Sequence, residues 1–175
     1  MTGTQPKGMS AVAFMLTLAA CGRQGDSGAR QADTAFAAMQ TRGQMVMGVD
    51  QYASAHVFEE LEDGGRIVLD ADSVSDTAVI AAIRHHMRDI AVAFRAGDFA
   101  RPFQVHAQVV PGTAIMATRR TRISYEASDR PRGAEVRIRT KDAAAVAAIH
   151  AFLAFQRTAH HAAGHGNDTH DLKGG

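Results

Sequence analysis

The chain has 175 residues, with 19 basic against 18 acidic side chains, and a single cysteine. All the acidic residues lie beyond Cys21, and once Lys7 is set aside the two charges are equal in number. This balance gives no net positive field to attract nucleic acid, which we exclude as a partner. Because one cysteine cannot form a disulfide within the chain, a hydrophobic core must supply the stability, and the length suits one domain.

The N-terminus has the pattern of an export signal. Lys7 precedes an apolar run over residues 11–20, which ends in Leu18-Ala19-Ala20-Cys21 and is too short to span a bilayer. Leu-Ala-Ala-Cys resembles the lipobox of bacterial lipoproteins. We therefore predict a lipoprotein signal peptide at 1–20 and lipidation at Cys21, with the protein anchored in the cell envelope, facing the periplasm or exterior. An ordinary signal peptide or a buried N-terminal strand is the alternative.

Residues 21–44 are small, polar and weakly patterned, which is typical of a flexible tether. Beyond them, residues 52–59 and 66–70 have the composition of two strands. The Glu-Asp-Gly-Gly sequence at 62–65 is a hairpin signal between them.

A first helix is predicted over residues 76–96, with capping residues before it and Gly97 as its end. Its inner stripe consists of Val79, Ile83, Met87, Ile90 and Phe94. Residues 103–110 and 113–118 are predicted to be extended, with a break at Pro111-Gly112.

In the C-terminal part, apolar and polar residues first alternate as in a β-hairpin, and a helical pattern follows. Residues 122–127 and 134–140 are predicted to be strands with one solvent-exposed, arginine-rich face. A long helix over 142–161 then places Val146, Ile149, Leu153 and His160 on a buried stripe. Phe152 and Phe155 lie on a second face. Residues 164–175 are predicted to be a disordered His/Gly tail.

Strands grouped before and between two amphipathic helices predict an α+β fold. We expect a two-layer sandwich over residues 45–163, in which both helices cover one face of a mainly antiparallel sheet.

Nine histidines are the compositional feature that points to chemistry. His86 lies beside the stripe of the first helix, and His150 and His160 flank that of the last. If the helices pack side by side, these three rings approach each other, and imidazole is a common ligand of copper and zinc. His106 is placed in a strand, out of register with its apolar neighbours. Softer donors are available at Met45, Met47, Met87 and Met116. The alternative is that these are ordinary helix-edge and core residues, since no HExxH or CxxC is present.

Other catalytic patterns are absent from the sequence. It contains no G-x-S-x-G elbow and no glycine-rich phosphate loop. A basic strip is formed by Arg119, Arg120, Arg122, Arg130, Arg132, Arg137 and Arg139. This strip is predicted to hold an anionic ligand or lipid headgroups, or, in the interpretation that we favour, to be a solvated surface balanced by acids.

Several short segments carry a resemblance across residues 47–161. They include Met47-Gly48-Val49-Asp50-Gln51, Ile83-Arg84-His85-His86, Gly97-Asp98-Phe99, Val105-His106-Ala107 and Ala148-Ile149-His150. Together they resemble a family of small exported bacterial proteins of uncharacterised function, to which the name aspartate carbamoyltransferase is often attached automatically. Nothing in the chain supports that name, because a carbamoyltransferase needs a larger two-lobed fold and a carbamoyl-phosphate loop.

The resemblance selects four of the histidines. His86, His106, His150 and His160 match the family pattern position by position, so it implies that these four form the site. The chain departs from that pattern at Ala107, Val110 and Ala159, which removes a methionine donor and an aspartate that would orient an imidazole.

The leading hypothesis is a lipid-anchored envelope protein that binds a small ligand, a transition metal such as copper, with zinc as the other candidate, through His86, His106, His150 and His160. It would store, sense or hand on the ligand rather than transform it. The first alternative is an envelope enzyme, with His150 or His86 as general base on an arginine-held anionic substrate. The second is a structural domain that docks a protein partner on Phe152 and Phe155.

Overall fold

The structure is a computed structural model and describes residues 1–3, 24–49 and 54–162. Five α-helices and four strands occur in this part of the chain. In order they are α1 (Gln24–Met47), β1 (Ser54–Leu61), β2 (Gly64–Ala71), α2 (Thr77–Ala96), α3 (Ala100–His106), α4 (Thr113–Thr118), β3 (Ile123–Arg130), β4 (Gly133–Thr140) and α5 (Ala143–Ala159). Cys21 and the tail residues His165 and His170 lie outside the described residues.

The four strands form one antiparallel sheet in the order β1-β2-β4-β3. Each predicted hairpin is present, and the two hairpins join through β2 and β4, where Ile67 lies opposite Val136. Side chains that alternate along these strands put Ile67, Val136 and Ile138 on the helix side, where all are buried. The predicted α+β class with an antiparallel sheet is confirmed.

Helices α2 and α5 cover the buried face of this sheet. In α2 the predicted stripe is correct, since Ile83, Met87 and Phe94 are buried, while Val79 and Ile90 are partly so. The capping residues explain its bounds: the Asp76 carboxylate accepts a hydrogen bond from the Val79 amide at 3.0 Å, and Gly97 takes a left-handed conformation.

The inner stripe of α5 is wider than the sequence suggests. Ile149 and Leu153 are fully buried as predicted, but Phe152 is also buried, with 1% of its surface exposed. Phe152 meets the ring of Phe94 edge to face, with 5.7 Å between ring centroids. Phe155 is half-buried against His106. Of the two rings expected on a face for a partner, Phe152 is therefore covered within the chain and Phe155 is covered in part.

The prediction of two extended segments between the hairpins, at 103–110 and 113–118, is wrong. The structure has the helices α3 and α4 in this region. In α3 the buried residues are Pro102, Val105 and His106, at spacings of three and four that only a helix places on one face. The Asp98 side chain accepts a hydrogen bond from the amide of Ala100, the first residue of the helix, at 2.8 Å. Burial of this stripe overrides the strand propensity of valine and phenylalanine.

The segment that the sequence assigns to a tether is helical from Gln24 onward. Its second half packs against α3, with Met39 and Gln40 buried. The Arg42 guanidinium donates a hydrogen bond to the Val105 carbonyl at 2.8 Å and fixes the contact. No helix in the described part of the chain is long and apolar enough to cross a membrane.

Candidate functional site

A cavity of about 60 Å³ lies on the helix side of the sheet, where α2, α3 and α5 meet β1 and β2. Its wall is mainly apolar, and the end of α1 contributes Met47 to it. The polar groups at the wall belong to Arg101, Gln156 and four histidines. These histidines are His56 on β1, His86 on α2, His106 on α3 and His160 immediately after α5.

Three of the four histidines selected from the sequence therefore come together. His106 reaches the site because residues 100–106 are helical, which removes the register problem that a strand would have caused. His150 does not line this cavity. Its Nε2 lies 2.9 Å from the Leu61 carbonyl, at the far end of β1, and its Nδ1 lies 3.9 Å from the Glu60 carboxylate.

His56 takes the fourth place, and sequence reasoning missed it. His56 and Phe58 are two residues apart on β1, so both side chains point to the same face of the sheet. Phe58 is buried in the core. The two-residue alternation along β1 could have predicted this position, because a histidine two residues from a buried phenylalanine points to the same, inner face of the sheet.

The hydrogen bond of His106 sets its tautomer. Its Nε2 lies 2.8 Å from Oε1 of Gln156, in a buried position. Because the glutamine oxygen can only accept, Nε2 carries the proton and donates. The lone pair of a neutral ring is then on Nδ1, which is free to bind a ligand.

His160 lies at the centre of the cluster. Its ring stacks on His56 with 5.2 Å between centroids and 22° between planes, and meets His106 edge to face at 5.1 Å and 89°. Its Nδ1 is buried without a hydrogen-bond partner among the described residues. An unpaired buried nitrogen costs free energy unless a ligand or water satisfies it, so this atom is the clearest sign of a missing partner.

The cluster is neutral at pH 7. Burial lowers the pKa of His56 and of His86 to about 4 and the pKa of His160 to about 3. The positive charge of Arg101 acts in the same direction on the pKa of His86, and protonation of His56 would do so on that of His160. Burial also lowers the pKa of His106, against the raising effect of its bond to Gln156. Neutral rings have the lone pairs that metal ions require.

The rings do not yet point at one centre. Within residues 1–3, 24–49 and 54–162, no three His, Cys, Asp or Glu side chains are arranged to hold a metal ion. Two of the predicted softer donors, Met47 and Met87, do line the same cavity. Met116 is buried but does not line that cavity, and Met45 is 73% exposed.

Five arginines of the predicted basic strip form ion pairs with acids. The pairs are Arg119 and Arg122 with Asp142, Arg130 with Asp70, Arg137 with Asp63, and Arg139 with Glu126. Charges paired in this way leave little net field for an anionic ligand. The geometry favours the interpretation of a balanced, solvated surface.

Comparisons with protein-family models, with curated proteins and with solved structures gave no match to this chain. The resemblance drawn from the sequence motifs stays a prediction.

Proposed function

We propose that this domain binds a transition-metal ion, copper in preference to zinc, in the histidine cavity, and that it stores, senses or hands on the metal. The observation that carries the proposal is the buried, unpartnered Nδ1 of His160. It lies within a cluster of neutral imidazoles from four different elements. Folding brings these rings together against the cost of their burial, which a bound cation would offset.

The ligands that we assign are His56, His106 and His160. A metal held by all three requires that their rings turn toward one point by rotation about the side-chain torsions. Gln156 would keep its hydrogen bond to His106 and hold that ring in the required tautomer, as acceptors behind metal-bound histidines commonly do. His86 lies in the same wall as a fourth imidazole.

The preference for copper rests on the thioethers. Met47 and Met87 line the cavity beside the histidines. Thioether sulfur is a soft ligand that suits copper(I), and among the divalent ions copper(II) is the one that imidazole sites bind most tightly.

The enzyme hypothesis receives less support from the geometry. A general base works best when its pKa lies near the working pH. The pKa of His86 is lowered to about 4, mainly by burial, so its ring is a weak proton acceptor at neutral pH. His150 is hydrogen-bonded to the Leu61 carbonyl, away from the cavity.

We also propose that the protein is exported and held in the envelope by a lipid on Cys21. The lipobox resemblance supports this part of the proposal, and α1 begins three residues after that cysteine. The domain would then handle its metal close to the membrane surface.

The test uses the full chain with His165→Ala and His170→Ala, which removes chelation by the tail. We expect copper(II) to raise the melting temperature, by an amount that grows with the logarithm of free metal. His160→Ala should abolish most of the rise. His150→Ala is the matched control, because it removes an imidazole from α5, the helix that His160 follows, at a position outside the cavity, and it should keep the rise. A parent without any copper-dependent shift, or a His160→Ala variant with the full shift, contradicts the proposal.

A further inference from the structure

A second, smaller group of residues connects α1 to the histidine cluster. Four residues of α1 follow one stripe of the helix, at steps of four, three and four: Phe36, Gln40, Gly43 and Met47. Gln40 and Gly43 are buried, while the neighbouring positions Thr41, Gln44 and Met45 are exposed. This stripe is the side of α1 that meets the rest of the domain.

The stripe touches the histidines along its length. Phe36 stacks on His161 with 4.3 Å between ring centroids and 2° between planes. Met47 lines the histidine cavity. Between them, Gln40 lines a neighbouring cavity of about 220 Å³ together with His56, His160 and His161. His56 and His160 therefore border both cavities.

Two polar atoms at this boundary lack a partner within the described part of the chain. Gln40 is 8% exposed, and its Oε1 is buried without a hydrogen bond. Nδ1 of His160 is likewise buried without a hydrogen bond, and His160 lines the same cavity as Gln40. An amide oxygen is an acceptor, and so is the unprotonated nitrogen of a neutral ring. In the tautomer of His160 that leaves Nδ1 unprotonated, both atoms are acceptors without a donor, and a cation or a donor molecule can satisfy them.

We propose that Gln40 is a further ligand of the copper site, an amide oxygen that α1 contributes beside His56 and His160, so that metal binding fixes α1 on the domain. The inference rests on the proposed function and deepens it. Weak oxygen ligands, glutamine among them, accompany imidazole in known kinds of copper site. Because α1 makes its main contact with α3 and with this cluster, a bond from the metal to Gln40 would add directly to the docking energy of the helix.

The experiment measures hydrogen exchange of the α1 amides in the full chain, with and without copper(II). We expect copper to slow exchange over residues 36–47. Gln40→Leu should lose this copper-dependent protection and weaken copper binding, roughly tenfold. Gln44→Leu is the matched control, because it changes the same residue type on the exposed side of α1, and it should behave as the parent does.

A second variant distinguishes the loss of a metal ligand from misfolding of the Gln40→Leu variant. Gln40→Glu keeps the length of the side chain and replaces the amide oxygen with a charged one, which binds a divalent cation more strongly. We expect it to tighten copper(II) binding and to alter the electron paramagnetic resonance spectrum of the bound ion. Gln44→Glu should do neither.

The outcomes separate the two proposals. If copper raises the melting temperature but leaves α1 exchange unchanged, or if both Gln40 variants bind copper as the parent does, Gln40 is not a ligand. An ordinary bridging water would then satisfy its oxygen, and the proposed function would stand. If copper has no effect on the melting temperature of the parent, the proposed function fails and this inference fails with it.

Discussion

The imidazole ring of His160 stacks on that of His56, with 5.2 Å between ring centroids. One ring follows the last helix and the other belongs to the first strand, so the contact exists only in the folded domain. Two neutral rings stack at this distance without cost, whereas two protonated rings would repel each other in a poorly solvated place. The charge state of this pair thus links the site to the stability of the fold.

The metal-free protein should lose stability as the pH falls from about 6.5 to about 4. In the unfolded chain the histidines bind protons below about 6.5, whereas burial lowers the pKa of folded His56 and His86 to about 4. The unfolded state therefore binds more protons within this window, so its free energy falls relative to the folded state. Above about 6.5 the full stability is present.

The measurement is urea unfolding across this pH range with a chelator present. His86→Leu removes one of these rings, and its curve should be flatter by up to about 3 kcal/mol, the free energy that corresponds to the lowered pKa of His86. His85→Leu changes a largely exposed neighbour and is the control. Parallel curves for His86→Leu and the parent would contradict the prediction.

Leu153→Ala should lower the free energy of unfolding by roughly 2–5 kcal/mol. Leu153 is fully buried at the centre of α5, so its removal leaves a cavity in the core. Phe155→Ala should cost clearly less, because that ring is only half-buried. Denaturant unfolding of both variants tests the contrast, and equal small losses would mean that the core is packed differently.

Gln156→Leu should weaken copper binding roughly 10- to 100-fold, the usual effect of removing an acceptor behind a metal-bound histidine. The substitution leaves Nε2 of His106 without the partner that now lies 2.8 Å away. Gln156→Glu keeps an acceptor oxygen and should preserve most of the affinity. Competition with a coloured copper chelator gives both values, and unchanged affinity in Gln156→Leu would remove His106 from the ligand set.

Tyr125→Phe should leave stability unchanged or raise it slightly. The hydroxyl of Tyr125 is buried without a hydrogen-bond partner in the described part of the chain, and burial raises the pKa of this phenol. Its removal relieves a desolvation cost, while the ring keeps its edge contact with Phe94. Thermal unfolding is the measurement. A loss of more than about 1 kcal/mol would show that the hydroxyl has a partner, such as a bound water.

Cys21→Ser should release the domain from the membrane fraction or block its processing. A lipid-modified cysteine with several acyl chains holds a protein firmly, and serine cannot accept the lipid. Fractionation of cells that express the parent and the variant decides the matter. A serine variant that remains with membranes to the same extent would exclude the lipobox interpretation.

The sequence by itself determined the elements whose pattern is local. The stripe of Ile83, Met87 and Phe94 has helical spacing, and the alternation about Val136 and Ile138 has strand spacing, so both were predicted correctly. It also singled out His86, His106 and His160. The helix, the strand and the positions of His86 and His160 follow from residue type and interval along one element, whereas His106 was selected by the resemblance to a family.

Only the tertiary structure decided which residues meet. Residues 100–106 become helical because Pro102, Val105 and His106 gain burial against other elements, which outweighs their local strand preference. The same packing excludes His150 from the cavity and brings in His56 from β1 and Gln40 from α1. His56 and His160 are more than a hundred positions apart, and their contact depends on how the faces of strands and helices stack. The spacing of residues within one element does not encode that arrangement.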